Sequence, residues 1–198
     1  PMPGGVATTS IMASEADGVW TATVDASAGG FMGASMNPFI YLDLDTGQKV
    51  DVGGKPALTG PVDWDIAFRR TATFLNSGDV AAGSVEIVRL TGTSFDAVSA
   101  ADVPADGDFI QEDAIEDGAC IVYMPPSGFG TVETVFNRMN MDTNSGSWFS
   151  YGMGDLGGVN VIEDHVYIIR STDQGKTYKF AFDSWDSGIY EIRWAELN

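Results

Sequence analysis

The sequence predicts a mainly β protein: one antiparallel, multi-stranded domain with long loops and little helix. Three observations indicate this class. Apolar and polar residues alternate near the C-terminus with the period of two that is typical of strands. The 24 glycines and eight prolines follow no fixed period, and long heptad patterns are absent. A chain of 198 residues that is 44% hydrophobic can bury a sizeable core within a single domain.

The N-terminal part predicts an arm followed by short strands. Residues 1–17 are small and polar, so we expect a flexible arm or linker, with the β domain spanning residues 18–198. Aromatic and β-branched residues predict a first strand at 19–26 and a second at 38–45. Thr46 and Gly47 follow as a turn signal, from which residues 48–52 return as a short partner strand.

A third strong strand signal lies at residues 62–71. Trp64, Ile66 and Phe68 stand two positions apart, so we expect all three side chains on one face of a strand. Two arginines and a threonine follow directly after this apolar pattern. The segment therefore predicts a strand with one apolar face.

The C-terminal segment predicts a meander of three strands. Residues 166–170 and 178–182 alternate in polarity on either side of a turn signal at 173–175, which is the pattern of a β-hairpin. Residues 189–197 form a third alternating run after another turn signal. We therefore expect the chain to end in three consecutive antiparallel strands.

The charge of the chain is strongly acidic. The net charge is -18, from 28 acids against ten bases, and a field of that sign repels nucleic acid and anionic lipid. We interpret the acidic window at 102–117 as a solvated loop. Asp43, Asp45 and Asp51 are typical of a polar turn, because they lack the twelve-residue calcium pattern and its terminal Glu.

Cysteine usage and hydropathy set further limits. Cys120 is the only cysteine, which excludes an intrachain disulfide and covalent haem attachment, and its apolar neighbours predict a buried thiol. No apolar run is long enough to span a bilayer. The chain opens at Pro1, without Met, which is typical of a processed or trimmed product. The interpretation that an export signal was removed therefore stays open.

Six sequence pieces in one order carry a resemblance to a known family. They are a strand ending in Thr-Gly, a Trp-Asp strand, an Asn-Ser-Gly turn, a Trp-Phe-Ser-Tyr element, a Val-Tyr strand and a Gly-Lys-Thr-Tyr strand. They lie at residues 39–47, 64–70, 76–78, 148–151, 166–170 and 175–180. In this order and spacing the chain resembles the HmuY-like haem-binding protein family.

The resemblance implies an exported bacterial haemophore of the iron-acquisition type, released or displayed at the outer membrane, in some cases as a lipoprotein. Such proteins bind haem or another tetrapyrrole without a covalent bond, in a cleft between loops. The implied partners are an outer-membrane uptake receptor and host haem proteins. They are binding proteins, so the resemblance implies no enzymatic activity.

Imidazole and thioether groups are the usual ligands for haem iron that is held without a covalent attachment. His165 is the only histidine, so the two-histidine ligation that the resemblance implies for the best-known members is impossible within this chain. His165 follows two acids at the start of a predicted strand. We therefore interpret it as a surface or turn residue rather than as an iron ligand.

Methionines are therefore the first candidate iron ligands. The resemblance implies a ligand within residues 152–162, where Met153 stands in a glycine-rich loop and is the first choice. Met124, followed by two prolines at a rigid strand end, is the second. Met139 and Met141, in an Asn-rich loop, are the competing choice. Each of them also has a simpler interpretation as core filler or loop residue.

Aromatic side chains near these methionines are candidate walls of the haem site. Phe129 and Trp148 are the two that we assign to cofactor binding. Rings of this kind line a flat apolar slot, a sugar-stacking platform or an ordinary core, and sequence alone leaves the three interpretations open.

Two other functions remain open. A module of the same fold that binds a glycan or a protein, and no haem, is favoured by the missing second histidine and by the altered loop at 152–162. A glycosidase-like enzyme would need a carboxylate pair such as Glu133 with Asp142 or Glu163. No serine nucleophile elbow and no phosphate-binding loop occur in the sequence.

Overall fold

In the computed structural model, residues 10–53, 59–78, 80–112, 148–151, 158–171 and 174–198 are described. This part of the chain forms twelve strands and only short helical turns, the one α-helical turn being Gly30–Gly33. The mainly β class with little helix is therefore confirmed. Within the described ranges, no helix is long and apolar enough to cross a membrane.

All strand pairs in the described residues are antiparallel. In chain order the strands are β1 (Ile11–Ala16), β2 (Val19–Asp25), β3 (Ile40–Asp43), β4 (Gln48–Val50), β5 (Ile66–Arg69), β6 (Ala72–Leu75), β7 (Glu86–Thr91), β8 (Phe149–Tyr151), β9 (Val159–Val161), β10 (His165–Ser171), β11 (Lys176–Asp186) and β12 (Ile189–Glu196). A large sheet has the order β1-β2-β12-β11-β10-β7, and a small sheet has the order β4-β3-β5-β6. Strands β8 and β9 form a separate two-stranded sheet.

The predicted C-terminal meander is confirmed and forms the centre of the large sheet. Strands β10, β11 and β12 are consecutive neighbours, with Tyr167 opposite Phe180 and Phe180 opposite Trp194. Alternation along these strands gives the sheet two apolar faces, because residues two apart share a face. Tyr167 and Ile169 face the small sheet, whereas Val166 and Ile168 face the opposite side.

The main core lies between the two sheets. Leu42, Ile66 and Phe68 of the small sheet pack with Phe180 and Trp194 of the large sheet, and all five are 0% exposed. Each fully buried side chain of this kind contributes roughly 1.5–3 kcal/mol of hydrophobic stabilisation. Face-to-face burial of two antiparallel sheets therefore accounts for the fold.

A segment that we name the strap, residues 93–110, covers part of the outer face of the large sheet. Phe95 is 2% exposed and packs in the outer cluster with Val166 and Ile168. The Lys179 ammonium donates hydrogen bonds of 2.9 Å to the carbonyl of Phe95 and to that of another strap residue. The strap thereby shields apolar residues that a two-layer sandwich would otherwise expose.

The N-terminal boundary differs from the sequence expectation. Residues 11–16, which we assigned to a flexible arm, form strand β1 and pair along their whole length with β2. This strand has no apolar alternation in its sequence, and Ile11 is its only buried residue. Backbone pairing at the sheet edge, rather than apolar burial, orders this segment.

One strand-face prediction was wrong. Ile66 and Phe68 point into the core between the sheets, but Trp64 packs on the other face of the small sheet with Ala67 and Phe74. Strand β5 begins only at Ile66, so the two-residue alternation does not extend back to Trp64. Its ring contacts Phe74 edge-on, with centroids 5.5 Å apart.

Candidate functional site

Most residues that we predicted for haem binding lie outside the described part of the chain. They are Met124, Phe129, Met139, Met141 and Met153. Cys120 and the carboxylates Glu133 and Asp142 lie outside it as well. Two predicted residues, Trp148 and His165, are described.

Trp148 is a core residue. Its side chain is 0% exposed, and its ring stacks on Phe182 with a centroid distance of 4.8 Å and a tilt of 21°. The rings of Phe149 and Tyr190 lie 4.6 and 5.2 Å away. Its indole Nε1 is buried and finds no hydrogen-bond partner in the described part of the chain. Trp148 therefore anchors the start of β8 in the core through its ring contacts.

His165 begins strand β10 on the face that looks toward the small sheet. It is paired with Thr91 of β7 and lies two residues before Tyr167, so His165 and Tyr167 share this face. The His165 side chain is only 11% exposed, and its Nε2 lies 3.9 Å from a carboxylate oxygen of Asp164. The predicted surface histidine is thus largely covered.

Arg89 is a residue that sequence reasoning missed. It lies on β7 opposite Tyr167 and two residues from Ile87, whose side chain is in the main core. Arg89 therefore points to the same face as Tyr167 and His165. Its guanidinium Nη1 is buried and has no hydrogen-bond partner among the described residues. The signal was present in the alternation of Ile87, Val88 and Arg89, which places an arginine on the buried face.

We name the inward-facing side of β7 and β10 that carries Arg89, His165 and Tyr167 the β7–β10 face. Its members combine a guanidinium, an imidazole and a phenol ring on adjacent strands at one edge of the large sheet. Side chains directly opposite on antiparallel strands have Cβ atoms about 5 Å apart, and diagonal neighbours about 7 Å apart. Arg89 and His165 therefore place two nitrogen-bearing side chains beside the buried ring of Tyr167 on this face.

The segment 113–147, which contains four of the predicted haem-site residues, joins the described chain close to this face. At one end, Ile110 pairs with Ile87 of β7 through two backbone hydrogen bonds of 2.9 and 3.0 Å. At the other end, the Ile162 amide donates to the Trp148 carbonyl at 2.9 Å, three residues before His165. Both attachment points thus flank the β7–β10 face.

Glu112, at the first of these points, is buried. It is 2% exposed, and its carboxylate accepts a 2.8 Å hydrogen bond from the Leu75 amide. The Glu112 amide in turn donates to the Ser77 hydroxyl at 3.1 Å. The prediction of a solvated loop across 102–117 is therefore wrong at this residue. Its carboxylate accepts a hydrogen bond from the last residue of β6, Leu75, whose backbone amide would otherwise lack a partner.

Two pieces of the family resemblance have a structural role in the described residues. Asp65 is 1% exposed and accepts a 2.8 Å hydrogen bond from the Leu44 amide. Asn76 is 0% exposed; its amide group donates to the Trp64 carbonyl and its side-chain oxygen accepts from Gly83, both at 2.8 Å. These buried polar groups fix the paths of loops around the small sheet.

Tyrosinate ligation of iron by the buried core residues Tyr178 and Tyr190 is disfavoured. Burial raises the pKa of Tyr178, and neighbouring carboxylates, that of Asp65 first among them, raise it further. Burial also raises the pKa of Tyr190 well above its ordinary value, and its hydroxyl donates to the Arg70 carbonyl. Both phenols therefore stay protonated at neutral pH and act as core hydrogen-bond donors.

A metal cluster built from protein side chains alone is not found in the described ranges, since no group of three His, Cys, Asp or Glu residues converges there. Asp43 accepts hydrogen bonds from the Asp45 amide and the Thr46 hydroxyl at 2.8 and 2.7 Å. Asp51 accepts one from the Gly53 amide at 2.8 Å. These carboxylates shape turns, as the sequence predicted.

Two facing antiparallel sheets, with an outer strap and a polar edge at β7 and β10, define an all-β sandwich protein. A family model described as HmuY protein matches residues 35–193. The chain therefore belongs to the HmuY family, as the sequence resemblance predicted. No curated protein matches it significantly. Membership suggests a haem-binding protein of a family that is typically extracellular or surface-associated.

Proposed function

We propose that this protein captures haem without a covalent bond and passes it to an outer-membrane uptake system. The observation that carries the proposal is the HmuY family match across most of the sandwich, residues 35–193. Haem is the cargo of this function, and the protein supplies a slot and iron ligands for it. An outer-membrane receptor and host haem proteins are the proposed partners, and the bacterial cell surface or its surroundings is the proposed location.

The donor set of the chain fits haem if thioethers replace imidazoles. His165 is the only histidine of the sequence, whereas eight methionines are present. We assign Met153 and Met124 as the first pair of axial ligands, with Met139 and Met141 as the competing pair. His165, on the β7–β10 face, is a further ligand choice because it is largely covered and close to the attachment of residues 113–147.

Trp148 and Phe129 complete the proposed site. Since Trp148 is fully buried against Phe182 and Tyr190, it contributes by holding the start of β8 in place. Phe129 is proposed as a wall of the haem slot. Truncating Trp148 would leave a large core cavity, so a binding defect in such a variant has to be separated from a folding defect.

The ligand assignment is tested by absorption spectra of the haem complex in single methionine variants. We expect Met153→Ala and Met124→Ala each to shift the Soret band, because iron loses a strong-field axial donor. Met36→Ala is the matched control, since Met36 is 84% exposed and ends a short helical turn before β3. Unchanged spectra in both ligand variants, with shifts in Met139→Ala or Met141→Ala, would transfer the assignment to the competing pair.

The alternative function is the binding of a glycan or protein ligand by the same fold. The single histidine favours it, because two-histidine ligation of haem is impossible in one chain. Two results together would establish this alternative. The protein would bind a glycan on an array or a peptide, and adding the protein to haem would leave the haem spectrum unchanged.

A further inference from the structure

The strap is joined to the rest of the backbone mainly at its two ends. At the first end the Thr93 amide donates to the Asp164 carbonyl at 3.3 Å, and at the second Ile110 exchanges two backbone hydrogen bonds with Ile87 of β7. Among the described residues, the backbone groups of 94–109 bond to one another and to no other backbone segment. The strap is therefore not part of a strand ladder, and its opening does not require the sheets to break.

Both ends of the strap lie beside the same strand. The chain leaves β7 at Thr91, passes Gly92 and returns at Ile110, which pairs with Ile87. Gly92 has a φ of +69°, and in the described chain no atom beyond its two neighbours lies within 4 Å of the position that a Cβ would take. Its backbone torsions can therefore change without a steric clash. This is the connection of a hinged lid, with the hinge along β7.

Apolar burial holds the strap at three points. Of the eighteen strap residues, only Phe95, Val98 and Phe109 are buried. They pack in one cluster with Val166 and Ile168 on the outer face of the large sheet. Each ordered residue loses conformational entropy, so three buried side chains are few for a segment of this length. Polar contacts therefore have to add to the stability of the closed strap.

Three cations on the outer face reach the strap. They are Arg170 on β10, Lys179 on β11 and Arg193 on β12. Arg170 donates a 2.7 Å hydrogen bond to Asp106, and the Arg193 guanidinium lies 3.7 Å from Asp96. The two strap aspartates are 92% and 87% exposed, so water and salt screen both pairs and each adds little. These two ion pairs alone therefore do not keep the strap closed.

Lys179 contacts the backbone of the strap itself. Its ammonium donates hydrogen bonds of 2.9 Å to the carbonyls of Phe95 and Val98, and it lies 4.5 Å from the centroid of the Phe95 ring. The two carbonyls lie at either end of the short helical turn Phe95–Ala97, so one ammonium holds the whole turn. Hydrogen bonds from a charged donor are roughly twice as strong as those between neutral groups. Lys179 thus combines two charge-assisted hydrogen bonds and a cation–π contact at a single point of the strap.

We propose that the strap is a lid that opens as one unit while both sheets stay folded, with Lys179 as the latch that keeps it closed. Opening breaks the contacts between Lys179 and Phe95 and turns the strap about its ends on β7. It uncovers Val166, Ile168 and the neighbouring apolar side chains of the outer face. The lid is independent of the proposed haem function, because it lies on the side of the large sheet away from the β7–β10 face.

The lid is tested by native-state hydrogen exchange of the wild-type protein at increasing urea concentrations. The Ala97 and Asp102 amides report on the strap, since they donate to strap carbonyls at 3.1 and 3.0 Å, and the paired amides of β10, β11 and β12 report on the sheet. We expect the strap amides to be less protected and to depend less on urea, because a lid that opens exposes less surface than an unfolding sandwich. Equal protection and equal urea dependence of both sets would show that the strap unfolds only with the sheets, and would overturn the lid.

The latch is tested with Lys179→Met, and Lys176→Met is the control on the same strand. Lys179→Met keeps the aliphatic packing but removes donors whose contacts are lost on opening, so the strap amides should exchange about tenfold faster or more. Lys176 pairs with Asp45, a contact that remains when the strap opens. Lys176→Met should therefore leave strap exchange unchanged, whatever its effect on the sheet amides.

Two outcomes would overturn the latch. Strap exchange that is the same in Lys179→Met as in the wild type would show that the ammonium does not hold the strap. A Lys179→Met protein whose sheets are unfolded by circular dichroism would show that strap and sheets form a single unit, since a lid opens without the sheets.

Discussion

Among the described glycines, Gly78 leaves the least room for a Cβ. Its φ is +62°, and a Cβ at this position would overlap the carbonyl of Glu112. Gly92 has a similar φ of +69° but has no atom within 4 Å of the same position. The two glycines therefore separate the cost of a left-handed backbone from the cost of a clash.

We predict that Gly78→Ala lowers the free energy of unfolding by more than about 3 kcal/mol, because strain and overlap add. Gly92→Ala should lower it by only about 1–2 kcal/mol, the cost of the left-handed conformation alone. Urea unfolding of both variants measures the difference. Equal losses would show that Glu112 does not close on Gly78 in solution.

A second prediction at this scale concerns pH. Asp102 accepts hydrogen bonds of 2.8 Å from the amide and the hydroxyl of Ser99, and these hold its pKa below the usual value. Because the folded pKa is depressed, the stability from this group is present above the unfolded pKa and is lost as pH falls through the folded one.

We therefore expect Ser99→Ala to raise the pKa of Asp102 toward its ordinary value, measured by NMR titration of the carboxyl group. Ser94→Ala is the control, since it removes a hydroxyl from the same strap at a residue whose side chain caps no turn. An Asp102 pKa that is unmoved by Ser99→Ala would rule out the hydroxyl as its cause.

At the scale of elements, the strap depends on Phe95. Its ring lies 4.5 Å from the Lys179 ammonium and 4.6 Å from the Arg193 guanidinium, measured to the ring centroid. Since Arg193 also contacts Asp183, the strap and the outer face of the sheet share one charged network. The Phe95 ring thus holds the strap in two ways, by apolar burial and by cation–π contacts with Lys179 and Arg193.

We predict that Phe95→Ala destabilises the fold by about 3–5 kcal/mol, through the cavity and the lost cation–π contacts. Ile110→Ala, in the same strap but at a side chain that is 46% exposed, should cost about 1 kcal/mol or less. Denaturant unfolding gives both values, and hydrogen exchange should show the strap amides of Phe95→Ala losing protection first. A strap that stays protected would contradict this role of Phe95.

The sequence was sufficient for the elements whose burial follows a simple alternation. The meander at 166–197 could be predicted because its apolar residues recur every second position. Strand β1 could not, because an edge strand held by backbone pairing needs no apolar pattern. Trp64 was misplaced because alternation predicts a face only within a strand, and Glu112 because a buried carboxylate satisfying one backbone amide looks like any other acid.

The candidate site was less accessible to sequence reasoning than the fold. The family resemblance indicated haem and pointed to the methionines, but those residues lie outside the described ranges, so their assignment stays a prediction. Arg89 was overlooked because only the register of β7 with β10 places it on the inward-facing side, opposite Tyr167.

For the molecule as a whole, the net charge affects the association rate in the proposed capture of haem. The protein carries -18 and haem carries carboxylates, so their encounter is repulsive at low ionic strength. Salt shortens the screening length from about 30 Å at 0.01 M to about 8 Å at 0.15 M. We predict that the association rate of haem rises with salt in stopped-flow measurements, whereas that of haem dimethyl ester changes little. A haem rate that falls with salt would mean that a local positive field dominates.

The central claim is that this member of the HmuY family binds haem. The most direct measurement is an equilibrium titration of the wild-type protein with micromolar haem, followed at the Soret band and compared with haem in buffer. We predict a shifted Soret band that saturates at one haem per chain. A spectrum that stays that of free haem throughout the titration would contradict the account.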